Sequence, residues 1–235
     1  MKRSILYLFA CGLFLLNACQ EQVAHEDDSC CAKPVAADNL PAGTNGLAIP
    51  TAGLTDMSLY QLDSEWQDQN GKELNLDSFK GKVQLVTMIY THCGYACPRI
   101  VADLKRIESG LEQYKRDDIG IVLITMDPAR DTPERLKAFA ESNRLDPKRW
   151  TLITSEQDNI RELAALLNMK YKLELDGEIS HSNIISVLDA DGEIIHQAEG
   201  LGIEPDETVN AIKGLLQKNL RHTTKTKNPW ASHLR

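Results

Sequence analysis

The chain has 235 residues, of which 42% are hydrophobic, 26% are charged and 6% are aromatic. This composition is typical of a globular protein and excludes collagen-like and wholly disordered chains. With 26 basic and 34 acidic residues the net charge is −8, which argues against nucleic-acid binding because that function needs a basic surface.

The N-terminal segment is the only stretch apolar enough to enter a membrane, which excludes a polytopic membrane protein. After two basic residues, a mostly apolar run covers residues 5–16 and is shorter than the roughly 20 residues that a spanning helix needs. The run ends in Leu16-Asn17-Ala18-Cys19, which resembles a bacterial lipobox. We therefore expect residues 1–18 to be a lipoprotein signal peptide and Cys19 to carry a lipid. The protein would then be exported and anchored to a membrane on the periplasmic side. The alternatives are a signal peptide cut elsewhere and an uncleaved anchor.

Composition divides the rest of the chain into three parts. Residues 19–55 contain scattered prolines, glycines and acids without sustained periodicity, and are predicted to be a flexible tether. Residues 56–220 show regular apolar patterns and are long enough to form one domain with its own core. Residues 221–235 contain basic but no acidic residues and are predicted to be a solvated polar tail.

The domain begins with a predicted hairpin, because Asn70-Gly71 is a preferred two-residue turn between residues 65–69 and 72–76. Continuous apolar and β-branched runs then indicate strands, and apolar residues three or four apart indicate helices. The elements follow as strand 83–90, a helix opening at Pro98, strand 119–126, a helix opening at Thr132-Pro133-Glu134, strand 151–154, a helix through Ile160 and Leu167, a hairpin of 184–188 and 193–196, and a helix through Val209 and Leu216.

This order predicts an α/β fold with a mixed central sheet, flanking helices and an N-terminal β-hairpin. A thioredoxin-like fold is the natural candidate for such an alternation that ends in a hairpin.

Two cysteines fall inside the predicted domain, Cys93 and Cys97, in the sequence THCGYACP. They follow a core strand and precede a helix, whose N-terminal N–H groups and positive dipole end stabilise a thiolate. A thiolate is both a nucleophile and a soft-metal ligand, so the position suits redox chemistry or metal binding. The CxxxC spacing, one residue longer than the usual redox motif, argues mildly against an ordinary disulfide oxidoreductase. A purely structural pair or a stabilising disulfide is the alternative.

A site with two thiolates needs a third ligand, and the candidates are the histidines. His181 is predicted to lie in the loop before strand 184–188, which in a thioredoxin-like fold passes over the start of the helix after the cysteines. His92 is expected to point away from an ion bound by its neighbour Cys93, and His196 is expected at the surface. The remaining histidines fall in the tether or the tail: His25, His222 and His233.

Three motifs, THCGYACP (91–98), DPARDTP (127–133) and GEISHSN (177–183), together resemble the SCO/SenC family. Members of that family are thioredoxin-like copper-binding proteins that serve cytochrome c oxidase assembly. The resemblance covers roughly residues 57–219, and the motifs occur in the family order.

The resemblance implies that Cys93, Cys97 and His181 are copper ligands, a donor set that favours Cu(I) and can also hold Cu(II). It implies a metallochaperone that delivers one copper ion to a copper enzyme, most naturally a cytochrome c oxidase subunit. Other periplasmic copper or thiol-redox proteins are further expected partners. Asp127 and Asp131 resemble the family's acidic residues near the site, with a supporting role, since carboxylates are poorly matched to Cu(I).

The predicted tether carries a second pair of thiols, Cys30 and Cys31, preceded by His25 and three acids. Adjacent cysteines have Cα atoms ~3.8 Å apart, which disfavours a mutual disulfide and leaves both thiols free for metal or partners. An accessory soft-metal site is one interpretation, and a solvated linker with incidental cysteines is the favoured one.

Two enzymatic functions compete with copper delivery. A thiol–disulfide reductase that keeps the oxidase's copper-ligand cysteines reduced would use Cys93 and Cys97 but would not need His181. A peroxiredoxin-like peroxidase would use a cysteine after a threonine in a strand-to-helix turn. The peroxidase is disfavoured because the proline expected ahead of that motif is missing.

Overall fold

The computed structural model describes residues 54–115, 117–175 and 177–227, all of which belong to one compact unit. The strands in these residues are β1 (Trp66–Asp68), β2 (Glu73–Leu74), β3 (Val83–Ile89), β4 (Ile119–Thr125), β5 (Trp150–Thr154), β6 (Tyr171–Leu173), β7 (Ile179–His181), β8 (Ile184–Leu188) and β9 (Ile194–Glu199). The helices are α1 (Ala96–Ser109), α2 (Pro133–Ser142), α3 (Gln157–Leu166) and α4 (Pro205–Lys227). Two short 3-10 helices cover Leu59–Gln61 and Leu76–Phe79.

The central sheet has seven strands in the order β2-β1-β5-β4-β3-β8-β9. Strands β3, β4 and β5 are parallel, whereas β1 pairs antiparallel with β5 and β8 pairs antiparallel with β3. Every residue of β3 is buried, as expected for a strand in the middle of a sheet with both faces covered. The predicted mixed sheet with flanking helices is therefore confirmed.

The parallel pairing of β3 and β4 brings two of the sequence motifs to one edge of the sheet. Ile89 at the end of β3 pairs with Thr125 at the end of β4, so the loops that follow the two strands leave the sheet at the same edge. One loop, residues 90–95, carries the first cysteine, and the other, residues 126–132, carries the DPARDTP motif. Two motifs whose first residues, Thr91 and Asp127, are 36 residues apart in sequence thus meet in space.

The predicted N-terminal hairpin is confirmed, with Trp66 opposite Leu74. The predicted two-residue turn is wrong: the backbone N–H of Asp68 bonds to the carbonyl oxygen of Lys72, which leaves a three-residue loop that ends in Gly71. Gly71 has φ of 75°, a conformation that glycine adopts without steric cost and that such three-residue loops use. The Asp68 carboxylate accepts hydrogen bonds from the backbone N–H groups of Asn70 and Lys72 and fixes the turn.

A second hairpin, formed by β6 and β7, was not predicted. Tyr171 pairs with His181 and Leu173 with Ile179, and these strands form a separate two-stranded sheet. His181 therefore ends a strand, and its prediction as a loop residue is wrong. Each strand has only three residues, too few to give a recognisable alternation of apolar and polar side chains.

Helix α1 begins at Ala96, two residues before the predicted start at Pro98. A proline is tolerated there because the first N–H groups of a helix have no partner within the helix. As a result Cys97 is part of the first helical turn, whereas Cys93 lies outside the helix.

Helix α4 continues to Lys227, past the boundary placed at residue 220, because no proline or glycine interrupts the chain between Leu215 and that point. His196, expected at the surface, is half-buried, with Nε2 3.1 Å from the hydroxyl of Thr208 on α4. Among the described helices, none combines the length and the apolarity needed to cross a membrane.

Candidate metal centre

The two cysteines lie where β3 leads into α1, Cys93 in the turn and Cys97 in the first turn of the helix. The Cys93 sulfur accepts hydrogen bonds from the backbone N–H groups of Ala96 and Cys97, at 3.3 and 3.5 Å. The Cys97 thiol is fully buried and donates to the carbonyl oxygen of Tyr90 at 3.3 Å. Both cysteines are free thiols, and Cys93 is half-buried. The helix start thus supplies N–H groups to the outer sulfur, as expected from the sequence.

The two thiols have different acidities. Partial burial raises the pKa of Cys93, but hydrogen bonds to its sulfur outweigh that effect, and its net pKa lies below the usual value. Those bonds come mainly from the backbone N–H groups of Cys97, Tyr95 and Ala96, and the Tyr90 hydroxyl, whose hydrogen is directed to Glu178, is also close to the sulfur. Burial raises the pKa of Cys97 well above its usual value, and the neighbouring Cys93 sulfur raises it further. In the metal-free protein Cys93 is therefore the more nucleophilic thiol.

One ring nitrogen of His181 is engaged in a hydrogen bond to the backbone. Its Nδ1 lies 2.9 Å from the carbonyl oxygen of Ser182. A carbonyl oxygen only accepts hydrogen bonds, so Nδ1 carries the hydrogen and Nε2 keeps a free lone pair. A backbone bond of this kind fixes the tautomer and the orientation of many metal-binding histidines.

Among the described residues, one group of potential metal ligands comes together: a ligand atom from each of Cys93, Cys97 and His181, all within 4.8 Å of one another. Bonds of about 2.0–2.3 Å from nitrogen and sulfur to a metal allow such atoms to share one ion after at most a small side-chain adjustment. Two thiolates and an imidazole are soft donors, so this arrangement fits a soft metal ion.

Asp131 and Asp127 are not part of this group, although Asp131 is close enough to raise the pKa of Cys97. The fully buried Asp131 carboxylate accepts from the backbone N–H of Thr91 at 3.0 Å, from the Thr91 hydroxyl, and from the Thr125 hydroxyl at 2.7 Å. It thereby ties the cysteine loop to the end of β4. Asp127 forms an ion pair with Arg130. Cys19, Cys30 and Cys31 fall outside the described residues.

Three residues near the site were not singled out from the sequence: Tyr90, Arg130 and Glu178. The Tyr90 hydroxyl donates to Glu178 at 2.8 Å, and its ring meets the His181 ring edge-on, with centroids 5.8 Å apart. Arg130 donates to the carbonyl oxygen of Gly177 at 2.8 Å. All three lie in or next to the motifs, but only the fold shows that Tyr90 and Arg130 bond to the consecutive residues Glu178 and Gly177.

The fold and the three donors define a class of protein: an α/β domain with a two-thiol, one-imidazole site at the start of a helix. Comparison with known proteins makes this specific, because the family model described as SCO1/SenC matches residues 55–217. The chain belongs to the SCO1/SenC family. The resemblance noted in the motifs is confirmed, and so is the thioredoxin-like fold that the family's structures share.

Individual relatives agree with this assignment. The SCO1 protein homolog of Bacillus subtilis is 28% identical over 152 residues, which cover 63% of this chain and 78% of the relative. A SCO2-like protein of Rickettsia felis is 29% identical over 159 residues, covering 65% of this chain and 75% of the relative. The structure of Bradyrhizobium japonicum ScoI with copper bound is 26% identical, with a TM-score of 0.55, and covers 65% of this chain and 96% of that one.

Proposed function

We propose that this protein is a metallochaperone that binds one copper ion through Cys93, Cys97 and His181. The observation that carries the proposal is the convergence of their ligand atoms within 4.8 Å of one another. Two thiolates and an imidazole suit Cu(I) and can also hold Cu(II). Copper bound to the related ScoI supports the choice of metal.

The bound ion would be cargo for a copper enzyme, and the copper centre of cytochrome c oxidase is the expected recipient. Membership of the SCO1/SenC family supports this recipient. A site with three protein donors, two of them half-buried, leaves coordination positions for ligands of a second protein. Transfer by stepwise exchange of ligands needs no change in the oxidation state of the ion.

Copper titration of the purified protein tests the proposal. We expect one tightly bound copper per chain, and the Cu(II) form is expected to show thiolate-to-copper charge-transfer absorption. Cys93→Ser and Cys97→Ser should each abolish this absorption. The titration is repeated in a Cys30→Ser/Cys31→Ser variant, so that copper bound by the predicted tether is counted separately. Charge-transfer absorption that survives both single substitutions in this background would exclude the site.

A thiol–disulfide reductase is a second candidate, favoured by the unequal acidity of the two thiols. The Cys93 thiolate would attack a disulfide of the recipient protein and form a mixed disulfide. Cys97 would then displace the second recipient sulfur. The recipient gains two electrons and two protons and becomes a dithiol, while Cys93 and Cys97 become a disulfide.

Alkylation of the metal-free, reduced protein with iodoacetamide measures this difference. Because hydrogen bonds lower the pKa of Cys93, its alkylation rate should rise to half its maximum at a lower pH than that of an ordinary cysteine. Cys97 is fully buried with a raised pKa, so it should stay unmodified while the protein is folded. Peptide mass spectrometry reads out each site, and equal labelling of both thiols in folded protein would contradict the assignment.

The cellular setting is also proposed. We infer export and lipid attachment at Cys19, supported by the lipobox-like sequence that ends the N-terminal apolar run. We also propose that Asp127 and Asp131 support the site, while an accessory metal role for Cys30 and Cys31 stays the less favoured of the two interpretations of the tether. Incorporation of labelled palmitate that persists in Cys19→Ser would contradict the lipid assignment.

A further inference from the structure

His181 lies on a hairpin whose strands are not paired with the central sheet. Strands β6 and β7 pair only with each other, while the cysteines follow β3 in the middle of the seven-stranded sheet. His181 is tied to the central sheet through β8, which begins three residues later at Ile184 and pairs with β3. The other end of β7 has no such link, and its distance from the cysteine loop depends on side-chain contacts made by the hairpin.

One contact comes from Tyr90, the residue directly after β3. Its side chain is buried, and its hydroxyl donates to the Glu178 carboxylate at 2.8 Å, one residue before β7 begins. The same ring meets the His181 ring edge-on at an interplanar angle of 83°. Tyr90 thus links the cysteine-bearing strand to both ends of β7.

A second contact comes from Arg130 in the loop after β4. Its guanidinium group pairs with the carboxylate of Asp127 and donates to the Gly177 carbonyl oxygen at 2.8 Å. The ion pair orients the guanidinium group, because two of its N–H groups are engaged at the same time in fixed directions. The contacted carbonyl belongs to the residue next to Glu178, so two loops of the central sheet bond to consecutive residues of the hairpin.

The other side of the hairpin contacts a different element. The Tyr171 hydroxyl accepts a hydrogen bond from Gln157 of α3 at 2.8 Å, and Ile179 packs into the core. These contacts hold the hairpin against the domain. They do not reach the cysteine loop, so among the side-chain contacts of the hairpin those of Tyr90 and Arg130 link it to the loops that follow β3 and β4.

We propose that Tyr90 and Arg130 are positioning residues: they keep His181 close enough to Cys93 and Cys97 for the three side chains to bind one ion. The proposal rests on the proposed copper site and adds to it the contacts that bring the third donor into place. Loss of either contact loosens the start of β7, although Ile179 still packs into the core, and part of the ordering of the imidazole must then be supplied by metal binding itself. The affinity for copper falls accordingly.

The test uses Tyr90→Phe, which removes only the hydroxyl, and Arg130→Ala. Each should weaken Cu(I) binding about 10-fold, the lower end of the effect of residues that orient metal ligands. Competition with a chromophoric Cu(I) chelator measures the affinity. The Cu(II) absorption spectrum of each variant should also shift toward that of His181→Ala.

Two matched controls separate positioning from general destabilisation. Tyr114→Phe removes a tyrosine hydroxyl beyond the opposite end of α1. Arg106→Ala breaks an arginine–aspartate pair three residues apart, with Asp103 at 2.6 Å, together with a bond to the Ile203 carbonyl oxygen at 2.8 Å. This arrangement matches that of Arg130. Neither control should change copper affinity.

A double-mutant cycle decides whether the two residues act through His181. In a His181→Ala background, Tyr90→Phe and Arg130→Ala should cause no further loss of affinity, because the donor they position is gone. Since the Tyr90 hydroxyl also interacts with Cys93, an effect on the sulfurs would instead persist in this background. A loss of the same size in both backgrounds would overturn the proposal.

Hydrogen exchange in the metal-free protein gives a second readout. Backbone amides of residues 179–182 should exchange faster in Tyr90→Phe and Arg130→Ala than in wild type or in the controls. Unchanged exchange would overturn the proposal. If wild-type protein bound no copper, the proposed function would fail, and the exchange measurement would still decide whether these contacts fix the hairpin.

Discussion

Replacement of His181 by alanine is expected to lower the affinity for copper by at least about 100-fold. Residues that only orient a metal ligand already contribute 10–100-fold in affinity, so removing a ligand should cost no less. The two cysteines would remain with the acidities that the helix start gives them, because their hydrogen bonds do not involve His181. Titration with Cu(I) in competition with a chelator measures the loss.

A matched control is His196→Ala, since His196 is also half-buried and also has one ring nitrogen near an oxygen atom. This variant should bind copper as wild type does. Reduction of a model disulfide by His181→Ala should continue at the wild-type rate, because thiol exchange uses only Cys93 and Cys97. If His181→Ala kept its copper affinity, the three-donor site would be excluded and the reductase would become the leading function.

Replacement of Asp131 by alanine is expected to lower the free energy of unfolding by about 3 kcal/mol. The substitution leaves the backbone N–H of Thr91 and the hydroxyl of Thr125 without their acceptor. A buried polar group left unsatisfied costs about 1–3 kcal/mol. Urea denaturation, monitored by circular dichroism, measures the change as a shift of the midpoint at constant slope.

Asp158→Ala serves as the comparison for this substitution. Asp158 pairs with Arg161 at 3.0 Å on the surface of α3, and its side chain is 93% exposed. Exposed ion pairs contribute little to stability, so the midpoint should not move measurably. Equal effects of the two substitutions would show that the Asp131 bonds do not stabilise the fold beyond an ordinary surface pair.

The central sheet and its helices could be predicted from the sequence because their signals are local and long. The runs at 83–90 and 119–126 correspond to β3 and β4 to within one residue at their ends. Helix α2 begins at Pro133, and the Thr132 side chain accepts from the backbone N–H of Arg135 as the capping pattern predicts. Such features depend on neighbours only three or four residues away.

The support of the site could not be predicted in the same way. Tyr90 and Glu178 are 88 residues apart, and Arg130 and Gly177 are 47 apart. No periodicity or spacing links such residues, and the strands that bring them together are three residues long. The cysteines could be singled out from their position between a core strand and a helix, whereas His181 was linked to them through the expected thioredoxin-like fold and the family resemblance.

The unequal depth of the two sulfurs imposes an order on any exchange of an ion at this site. Cys97 is fully buried, whereas Cys93 and His181 are partly exposed to solvent. An incoming ligand from another molecule could therefore attack from one side only, and the outer donors would be released first. The bond to the innermost thiolate would then be the last to break, at a stage when the incoming ligand is already bound to the ion.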